Sequence, residues 1–453
     1  MKKLLLFTLF LGAFSAQAQL DLWTEYATSQ PAASTGMRSI SIIDDNNAWL
    51  SMSCGTTGCT TIRRYSKTTN GGTVWTTGVV DLGATSTDLE IANIHGVSTD
   101  VAYAAVFPKA TSPGGIWKTA NGGSTWSKQA SASYSDAASF TNLVYFWDAN
   151  IGVCMGDPAN GYFEIYTTTN GGTNWTRVAS TPSIVPVDPQ DYGLTNQFTV
   201  NGDNIWIGTT FGRILRSSDK GLTWSVFQSP IPDFGGGING SGSGDMAFTD
   251  ANNGLLQTDA YELFSTADGG ATWTSVPVDA ETGLKNFGIS EIPGLPNTYV
   301  SVGEDLTNSP ARGSAYSIDG GATWVNAPDA VQVGGGVVAF LNVNTGFASD
   351  FSTSAAVGGI FKWNGVNVLG TTGFSKDKTF TAYISPSTRM LEVNGKNIAN
   401  VTVFDVLGKQ VFNSKYDSVN NASINVDGLN SGVYLVKVTN NTGANATIKV
   451  VKN

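Results

Sequence analysis

The sequence is poor in the residues that usually carry metals and cofactors. It contains one histidine, His95, and three cysteines, and only 13% of its residues are charged. A single histidine with no cysteine cluster around it cannot form the usual zinc site. Dinucleotide fingerprints, phosphate-binding loops and nucleophilic triads are missing as well. We therefore expect no metal and no cofactor.

Long apolar runs are missing after the N-terminus, so we expect no membrane-spanning helix. The N-terminus itself has the features of a secretory signal, which are Lys2 and Lys3, an apolar run from Leu4 to Phe14, and small residues at Ala16 and Ala18. We predict that residues 1–18 are removed on export. A net charge of −10 argues against nucleic acid or an anionic membrane as a partner.

The three cysteines fall into two groups. Cys54 and Cys59 frame a four-residue segment and could close a small disulfide loop in an oxidising compartment. Cys154 lies between Val153 and Met155, a pattern that is typical of a buried strand and favours a free thiol.

Glycine is abundant, with 53 copies, and many of these belong to an eight-residue box that occurs six times at steps of 49–51 residues. Each box has a hydroxyl residue first, Asn or Asp third, Gly fifth and Trp eighth. The third and eighth positions are Asn70 and Trp75, Asn121 and Trp126, Asn170 and Trp175, Asp219 and Trp224, Asp268 and Trp273, and Asp319 and Trp324. Such regularity indicates one repeated supersecondary unit.

The chemistry of the box is that of a tight turn. Asn, Asp and hydroxyl side chains accept hydrogen bonds from nearby amides, and glycine adopts positive φ without steric cost. The tryptophan then covers the turn that precedes it. We interpret the boxes as structural hairpin clips, because their acidic residue is already used by the turn.

A strand, an Asp/Asn/Gly turn and a second strand precede each box, and this signature occurs seven times. The seventh copy, near Phe340, lacks a box, whereas residues 22–26 resemble the strand that follows each box. We therefore predict that residues 21–27 pair into the last blade, built from about 337 to 370. The sequence predicts an all-β chain that forms a seven-bladed β-propeller over residues 19–370.

The strand order places the boxes and the inner turns, which are the Asp/Asn/Gly turns between the first and second strands of each blade, on one face of the propeller. The long loops lie on the other face, where binding is expected. We call the second one the loop face. Four carboxylates end second strands there and could flank a glycosidic bond or simply solvate loop ends, namely Asp157, Asp259, Glu304 and Asp350. Further ligand-binding candidates near this face are Arg38, Tyr162, Tyr192, Tyr261 and Arg312.

The boxes resemble the bacterial neuraminidase repeat, or Asp-box, and the whole pattern over residues 21–370 is similar to photosystem II assembly-factor propellers. This resemblance implies the fold and says little about activity, because the repeat occurs in sialidases, xyloglucan-cleaving enzymes, sortilin-like receptors and non-enzymatic assembly factors. A sialidase is disfavoured, since the family uses an arginine triad and this chain has eight arginines and no Phe-Arg-Ile-Pro segment.

Two functions stay open for the propeller. The first is a binding module for a glycan or a protein, and the second is a glycoside hydrolase with paired carboxylates at the mouth of the channel. The missing arginine set and the lack of a carboxylate motif favour binding.

The pattern changes after residue 370, and residues 371–380 are predicted to be a linker. Short alternating strands over residues 381–453 indicate a small β-sandwich. This segment resembles the type A sorting domain of the Bacteroidetes type IX secretion system in Asp405–Lys409, Leu429–Tyr434 and Lys449–Asn453, although Ile384–Ser387 replaces the family's Pro-Asn-Pro opening. The resemblance implies that the secretion machinery is a partner, and that the protein passes through the periplasm to the cell surface or the medium.

Overall fold

The computed structural model describes residues 22–56, 63–83, 86–110, 112–278, 283–306, 312–327, 333–365, 380–385, 389–405, 409–430, 432–441 and 445–452. The chain divides into two compact units, Met1–Gly365 and Val366–Asn453. The predicted signal peptide and almost all of the predicted linker lie outside the described residues. Within the described ranges, no helix is long and apolar enough to cross a membrane.

The first unit consists of seven four-stranded antiparallel sheets, as predicted. Blades one to three contain β2 (Thr35–Ile42), β3 (Ala48–Cys54), β4 (Arg64–Thr68) and β5 (Thr76–Val79); β6 (Leu89–Gly96), β7 (Ala102–Pro108), β8 (Gly115–Thr119) and β9 (Ser127–Lys128); and β10 (Thr141–Phe146), β11 (Gly152–Ala159), β12 (Tyr162–Thr168) and β13 (Thr176–Arg177). Short 3-10 turns occur at Ser86–Asp88 and Pro182–Ile184.

Blades four to seven follow the same order. They contain β14 (Gly193–Asn201), β15 (Asn204–Thr209), β16 (Arg213–Ser217) and β17 (Ser225–Gln228); β18 (Gly244–Phe248), β19 (Gly254–Thr258), β20 (Leu263–Thr266) and β21 (Thr274–Val276); β22 (Gly288–Glu291), β23 (Tyr299–Glu304), β24 (Arg312–Ser317) and β25 (Val325–Asn326); and β26 (Val338–Asn342), β27 (Thr345–Ser349) and β28 (Gly359–Trp363), completed by β1 (Trp23–Ala27).

The ring closes through the two ends of the unit, which confirms the predicted pairing of residues 21–27. Strand β1 lies antiparallel to β28, with Trp23 opposite Trp363 and Ala27 opposite Gly359. The Asn364 amide extends the ladder by donating to the Leu22 carbonyl at 2.9 Å. The seventh blade therefore depends on both ends of the propeller sequence.

The boxes are turns of the kind that the sequence predicts. In the first box, Thr68 Oγ1 accepts from the Gly72 amide at 3.0 Å and Asn70 Oδ1 accepts from the Val74 amide at 2.9 Å. All six glycines at the fifth position have φ between 75° and 91°. One amide of each box also donates to the inner turn of its blade, for example Gly71 to the Asn46 carbonyl at 2.9 Å, so boxes and inner turns share one face.

The second unit is one five-stranded sheet of β29 (Phe380–Ile384), β30 (Met390–Asp405), β31 (Gln410–Asn425), β32 (Gly432–Asn440) and β33 (Asn445–Lys452). The order is β29-β30-β32-β33, with β31 paired to the other part of β30. Strands β29 and β33 end this order yet contact each other, so the sheet curls around one core. Residues from both halves of β30, including Val393 and Val403, pack into that core. The small β unit is as predicted, but a single curled sheet supplies the layers of the predicted sandwich.

Candidate functional site

The inner strands of the seven blades surround a central cavity of about 590 Å³, which is referred to below as the channel. Polar and aromatic side chains from all seven blades line it. Of the residues predicted for a site, Arg38 and Asp259 line the channel. The other predicted residues lie around it in the loops or within blades.

Arg38 is held by its neighbours rather than projecting freely into the channel. Its Nη1 donates to the Ile91 carbonyl at 2.6 Å and lies 3.3 Å from a Glu90 carboxylate oxygen. Its guanidinium also lies 5.6 Å from the centre of the Phe107 ring. The first inner strand is thereby tied to the second blade by an ion pair with Glu90, which also lies 3.4 Å from Lys109 Nζ.

Arg312 lies close to two other predicted residues, Glu304 and Asp350. Its Nε lies 3.6 Å from Glu304 Oε1 and its Nη1 lies 3.7 Å from Asp350 Oδ1, so one guanidinium bridges blades six and seven. Gly334 permits this approach, because a Cβ there would lie 2.5 Å from Arg312 Cδ. The pKa of Tyr261 is raised by burial and then by the charges of Glu304 and Asp305, which places Tyr261 near those two carboxylates.

The other two predicted carboxylates fix the starts of inner strands. Asp157 Oδ1 accepts from Asn142 Nδ2 at 2.7 Å and from the Gly193 amide at 3.0 Å. Burial raises the pKa of Asp157 to about 7, although these two hydrogen bonds favour its charged form. Asp259 Oδ1 accepts from the Ser243 amide at 3.1 Å. Both side chains therefore hold loop backbone, and Asp259 also lines the channel.

Replacing Asp157 by asparagine should remove a pH-dependent loss of stability. Because the folded pKa is raised above the ordinary value of 3.8, the protonated group stabilises the fold below that value, and this contribution is lost as pH rises through about 7. We expect wild type to lose about 2 kcal/mol more than Asp157→Asn between pH 5 and pH 8. Denaturant unfolding at both pH values measures the difference.

The matched control for this experiment is Asp203→Asn, which removes a carboxylate that is exposed on the fourth blade. Asparagine at position 157 keeps an oxygen that can accept from Asn142 and Gly193. Parallel curves for wild type and Asp157→Asn, or an equal effect of Asp203→Asn, would contradict the burial of charge at Asp157.

The remaining tyrosines occupy separate places. The Arg177 guanidinium lies 4.2 Å from the centre of the Tyr162 ring, which is consistent with a cation–π contact within the third blade. The Tyr192 amide donates to Thr210 Oγ1 at 2.9 Å in the loop that enters the fourth blade. The structure therefore brings Arg312, Glu304 and Asp350 together with Tyr261 near Glu304, whereas Tyr162 and Tyr192 have the separate contacts given above.

Sequence reasoning missed two acidic residues that lie within inner strands. Asp245 on β18 and Glu291 on β22 line the channel from adjacent blades. Burial raises the pKa of Glu291 to about 7, with a further contribution from Asp245, and it raises the pKa of Asp245 to about 6. His95 lines the same channel, where burial lowers its pKa to about 4. The sequence feature that could have identified Asp245 and Glu291 is an acidic residue inside an inner strand, where an apolar or small residue is usual.

Exposed large apolar side chains are concentrated on the loop face. Seven such residues lie in its described loops, namely Val185, Val187, Ile238, Phe287, Leu306, Phe351 and Val357. The box face carries Val74, Leu222 and Ile318. These seven side chains lie in several loops of blades three to seven, all on the same face of the propeller.

The predictions for the cysteines are confirmed in part. Cys154 is a buried free thiol, as predicted. Cys54 takes part in a disulfide. Its predicted partner, Cys59, lies outside the described residues, so the pairing stays a prediction. Among the described residues, no group of three or more His, Cys, Asp and Glu is arranged to hold a metal ion.

A seven-bladed Asp-box propeller followed by a small β unit defines the class of this protein, and comparison with known families identifies the second unit. Residues 381–453 match the family described as the secretion system C-terminal sorting domain. The protein therefore carries a type IX sorting domain and is directed to the cell surface or the extracellular space, as the sequence resemblance implied.

The propeller is similar to two solved structures of YCF48. One, described as YCF48 bound to D1 peptide, has a TM-score of 0.53 and 14% identity, and the match covers 76% of this chain and 97% of that one. The other, from Cyanidioschyzon merolae, has a TM-score of 0.52 and 18% identity, with 76% and 99% covered. At such identities the likeness concerns the fold alone.

Two curated xyloglucanases match part of the chain. The protein from Hypocrea jecorina (strain QM6a) is 29% identical over 170 residues, which is 36% of this chain and 17% of that protein. The protein from a Paenibacillus species is 28% identical over 215 residues, which is 41% of this chain and 20% of that one. The matched region thus spans a fifth or less of either xyloglucanase.

Proposed function

We propose that the propeller is a non-catalytic binding module whose loop face takes a segment of another protein. The observation that carries this proposal is the concentration of exposed aliphatic and aromatic side chains on the loop face. Five of the seven are Val, Leu or Ile, which suit a protein surface, whereas sugar rings are usually held by aromatic platforms and hydrogen bonds. Polar groups of the channel rim, such as Asn286 and Asp259, would orient the bound segment.

The state of the predicted carboxylates supports binding over catalysis. A glycosidase needs one carboxyl to donate a proton and a second to act as nucleophile or base. Glu304 and Asp350 share Arg312, and Asp157 and Asp259 each accept backbone amides. Each of these four carboxylates therefore holds loop backbone or the Arg312 guanidinium, which ties two neighbouring blades together.

The test uses the chain without its predicted signal peptide on a peptide array and a glycan array. We expect peptide ligands whose affinity falls at least tenfold in Phe287→Ser/Val357→Ser, because that variant removes two exposed apolar contacts from the loop face. The matched control is Leu222→Ser/Ile318→Ser, which removes two side chains of at least equal exposure from the box face. Binding only to glycans, or equal losses in both variants, would refute the proposal.

A second candidate is glycoside hydrolysis, which the partial matches to xyloglucanases favour. Asp157 would be the acid, because its pKa of about 7 lets it carry a proton at neutral pH. Incubation with xyloglucan followed by a reducing-end assay separates the candidates. Product that disappears in Asp157→Asn would establish the hydrolase, and no product is expected from a binding module.

A further inference from the structure

We propose that a recess of the channel between blades five and six, formed by Asp245, Gln257 and Glu291, binds an alkylammonium group. The group would come from a free amine or from a lysine side chain of a bound segment. This inference rests on the proposed binding function, for which it names the chemistry of one subsite.

The three side chains come together because of strand register. Asp245 on β18 is directly opposite Gln257 on β19, so both side chains project to the same face of the fifth blade. Asp245 Oδ2 reaches the sixth blade, where it accepts from the Ile289 amide at 3.0 Å, and Oδ1 accepts from the Met246 amide at 2.9 Å. Each carboxylate oxygen has a second lone pair that a ligand can use. Glu291 follows two residues later on β22, and all three side chains line the channel.

The buried side-chain amide of Gln257, unpartnered in the described part of the chain, is the observation that indicates a ligand. Its side chain is 1% exposed, and neither Nε2 nor Oε1 has a hydrogen-bond partner among the described residues. Buried amides are nearly always satisfied, because an unpaired donor or acceptor in a protein interior is costly. A bound group that donates to Oε1 would satisfy the acceptor, and a carbonyl oxygen on the same ligand would accept from Nε2.

The charges of the recess select a cation. Within the described part of the chain, neither Asp245 nor Glu291 forms an ion pair, and the one Arg or Lys that lines the channel, Arg38, is paired with Glu90. The pKa of Glu291 is raised by burial and then by the charge of Asp245, which shows that the two carboxylates lie close enough to interact. A primary ammonium has three donors and one positive charge, which match two carboxylates and an amide oxygen.

The remainder of the channel can hold the rest of such a ligand. The Tyr145 ring lines the same cavity and stacks edge to face on Phe198, with ring centres 6.0 Å apart. Its pKa is raised to about 12 by burial and then by the charge of Glu291, so the hydroxyl stays neutral. An alkyl stem could lie along this ring while the ammonium group reaches the carboxylates.

The experiment is isothermal titration calorimetry of the full chain without its predicted signal peptide, at pH 8. The probes are cadaverine and the capped tripeptide Gly-Lys-Gly, and the matched uncharged probes are 1-pentanol and the same tripeptide acetylated on the lysine. We expect binding of at least one charged probe and at least tenfold weaker binding of its uncharged counterpart. Tighter binding of cadaverine would identify a free amine as the source, and tighter binding of the tripeptide would identify a lysine side chain.

Two variants test the recess itself. Glu291→Gln and Gln257→Leu should each weaken binding at least tenfold, whereas Glu25→Gln, which changes an exposed glutamate on β1, should leave it unchanged. Thermal melting confirms that each variant is folded. Absence of binding by both charged probes, or binding that neither recess variant alters, would overturn the proposal.

Binding should also weaken by at least tenfold from pH 8 to pH 5, because protonation removes the charges of Glu291 and Asp245, whose pKa values are about 7 and about 6. The other titratable groups that interact with Glu291 are Tyr145 and Tyr299, both with a pKa of about 12 and neutral throughout. Peptide-array ligands that bind Glu291→Gln normally would refute the ammonium site and leave the proposed binding function intact.

Discussion

Replacing Trp23 by alanine should lower the free energy of unfolding of the propeller by about 3–5 kcal/mol, the range for a fully buried tryptophan. The ring is 1% exposed and packs against Phe340 and Trp363, with ring centres 5.9 Å and 5.2 Å away. Its Nε1 also donates to Ser314 Oγ on the sixth blade at 2.9 Å. Denaturant unfolding of the purified chain, monitored by tryptophan fluorescence and far-UV circular dichroism, measures the loss.

The control is Thr24→Ala, one residue along the same strand. Thr24 is exposed and donates one side-chain hydrogen bond, to Asn364 Oδ1 at 2.9 Å, so we expect a change below about 1 kcal/mol. Deleting residues 19–28 removes the whole strand and should lower the melting temperature further than Trp23→Ala. An unchanged melting temperature after the deletion would show that the ring does not depend on closure by β1.

Much of this fold could be predicted because the contacts that define its repeated turns are between residues close in sequence. The side-chain hydrogen bonds that close each box turn join residues at most four positions apart, such as Thr68 and Gly72. Such turns depend only on residue type and spacing, and their repetition set the number and order of the blades. The closing strand was predictable for the same reason, since Trp23 repeats the position of a tryptophan that follows a box turn.

The candidate site was less predictable because its contacts join distant parts of the chain. Arg312 bridges Glu304 and Asp350, and the second of these partners is 38 residues away on another blade. Asp245 reaches Ile289 across a blade boundary, and Asp157 reaches Gly193. Whether an acidic side chain faces solvent, a guanidinium or a backbone amide depends on loop paths that residue type does not encode.

The sorting domain shows the same contrast between predictable local structure and unpredictable long-range pairing. Alternating strands predicted a small β unit, but the pairing of one long strand with three others was not evident. Strand β30 pairs with β29, β31 and β32, and bulges between Asn394 and Ile398 and between Ile398 and Asn400 change its register along the way. A bulged strand of 16 residues gives no periodic signal that would distinguish it from two shorter strands.

Removing residues 440–453 should abolish secretion and leave the protein in the periplasm. This segment contains β33, which pairs with β32 along its whole length, from Asn445 opposite Thr439 to Lys452 opposite Gly432. Its loss uncovers the core of the sorting domain, in which Val436 and Val438 are fully buried. Immunoblots of periplasmic, outer-membrane and culture-medium fractions measure the distribution.

A point variant tests whether the export signal is the folded sorting domain or only its terminal residues. Val438→Asp keeps the terminus but places a carboxylate in the core, which should unfold the domain and block secretion as the truncation does. Lys415→Ala, at an exposed position of β31, serves as the matched control and should be secreted normally. Secretion of Val438→Asp together with retention of the truncated chain would mean that the machinery reads the terminal strand sequence, whereas secretion of both variants would contradict the sorting role of this domain.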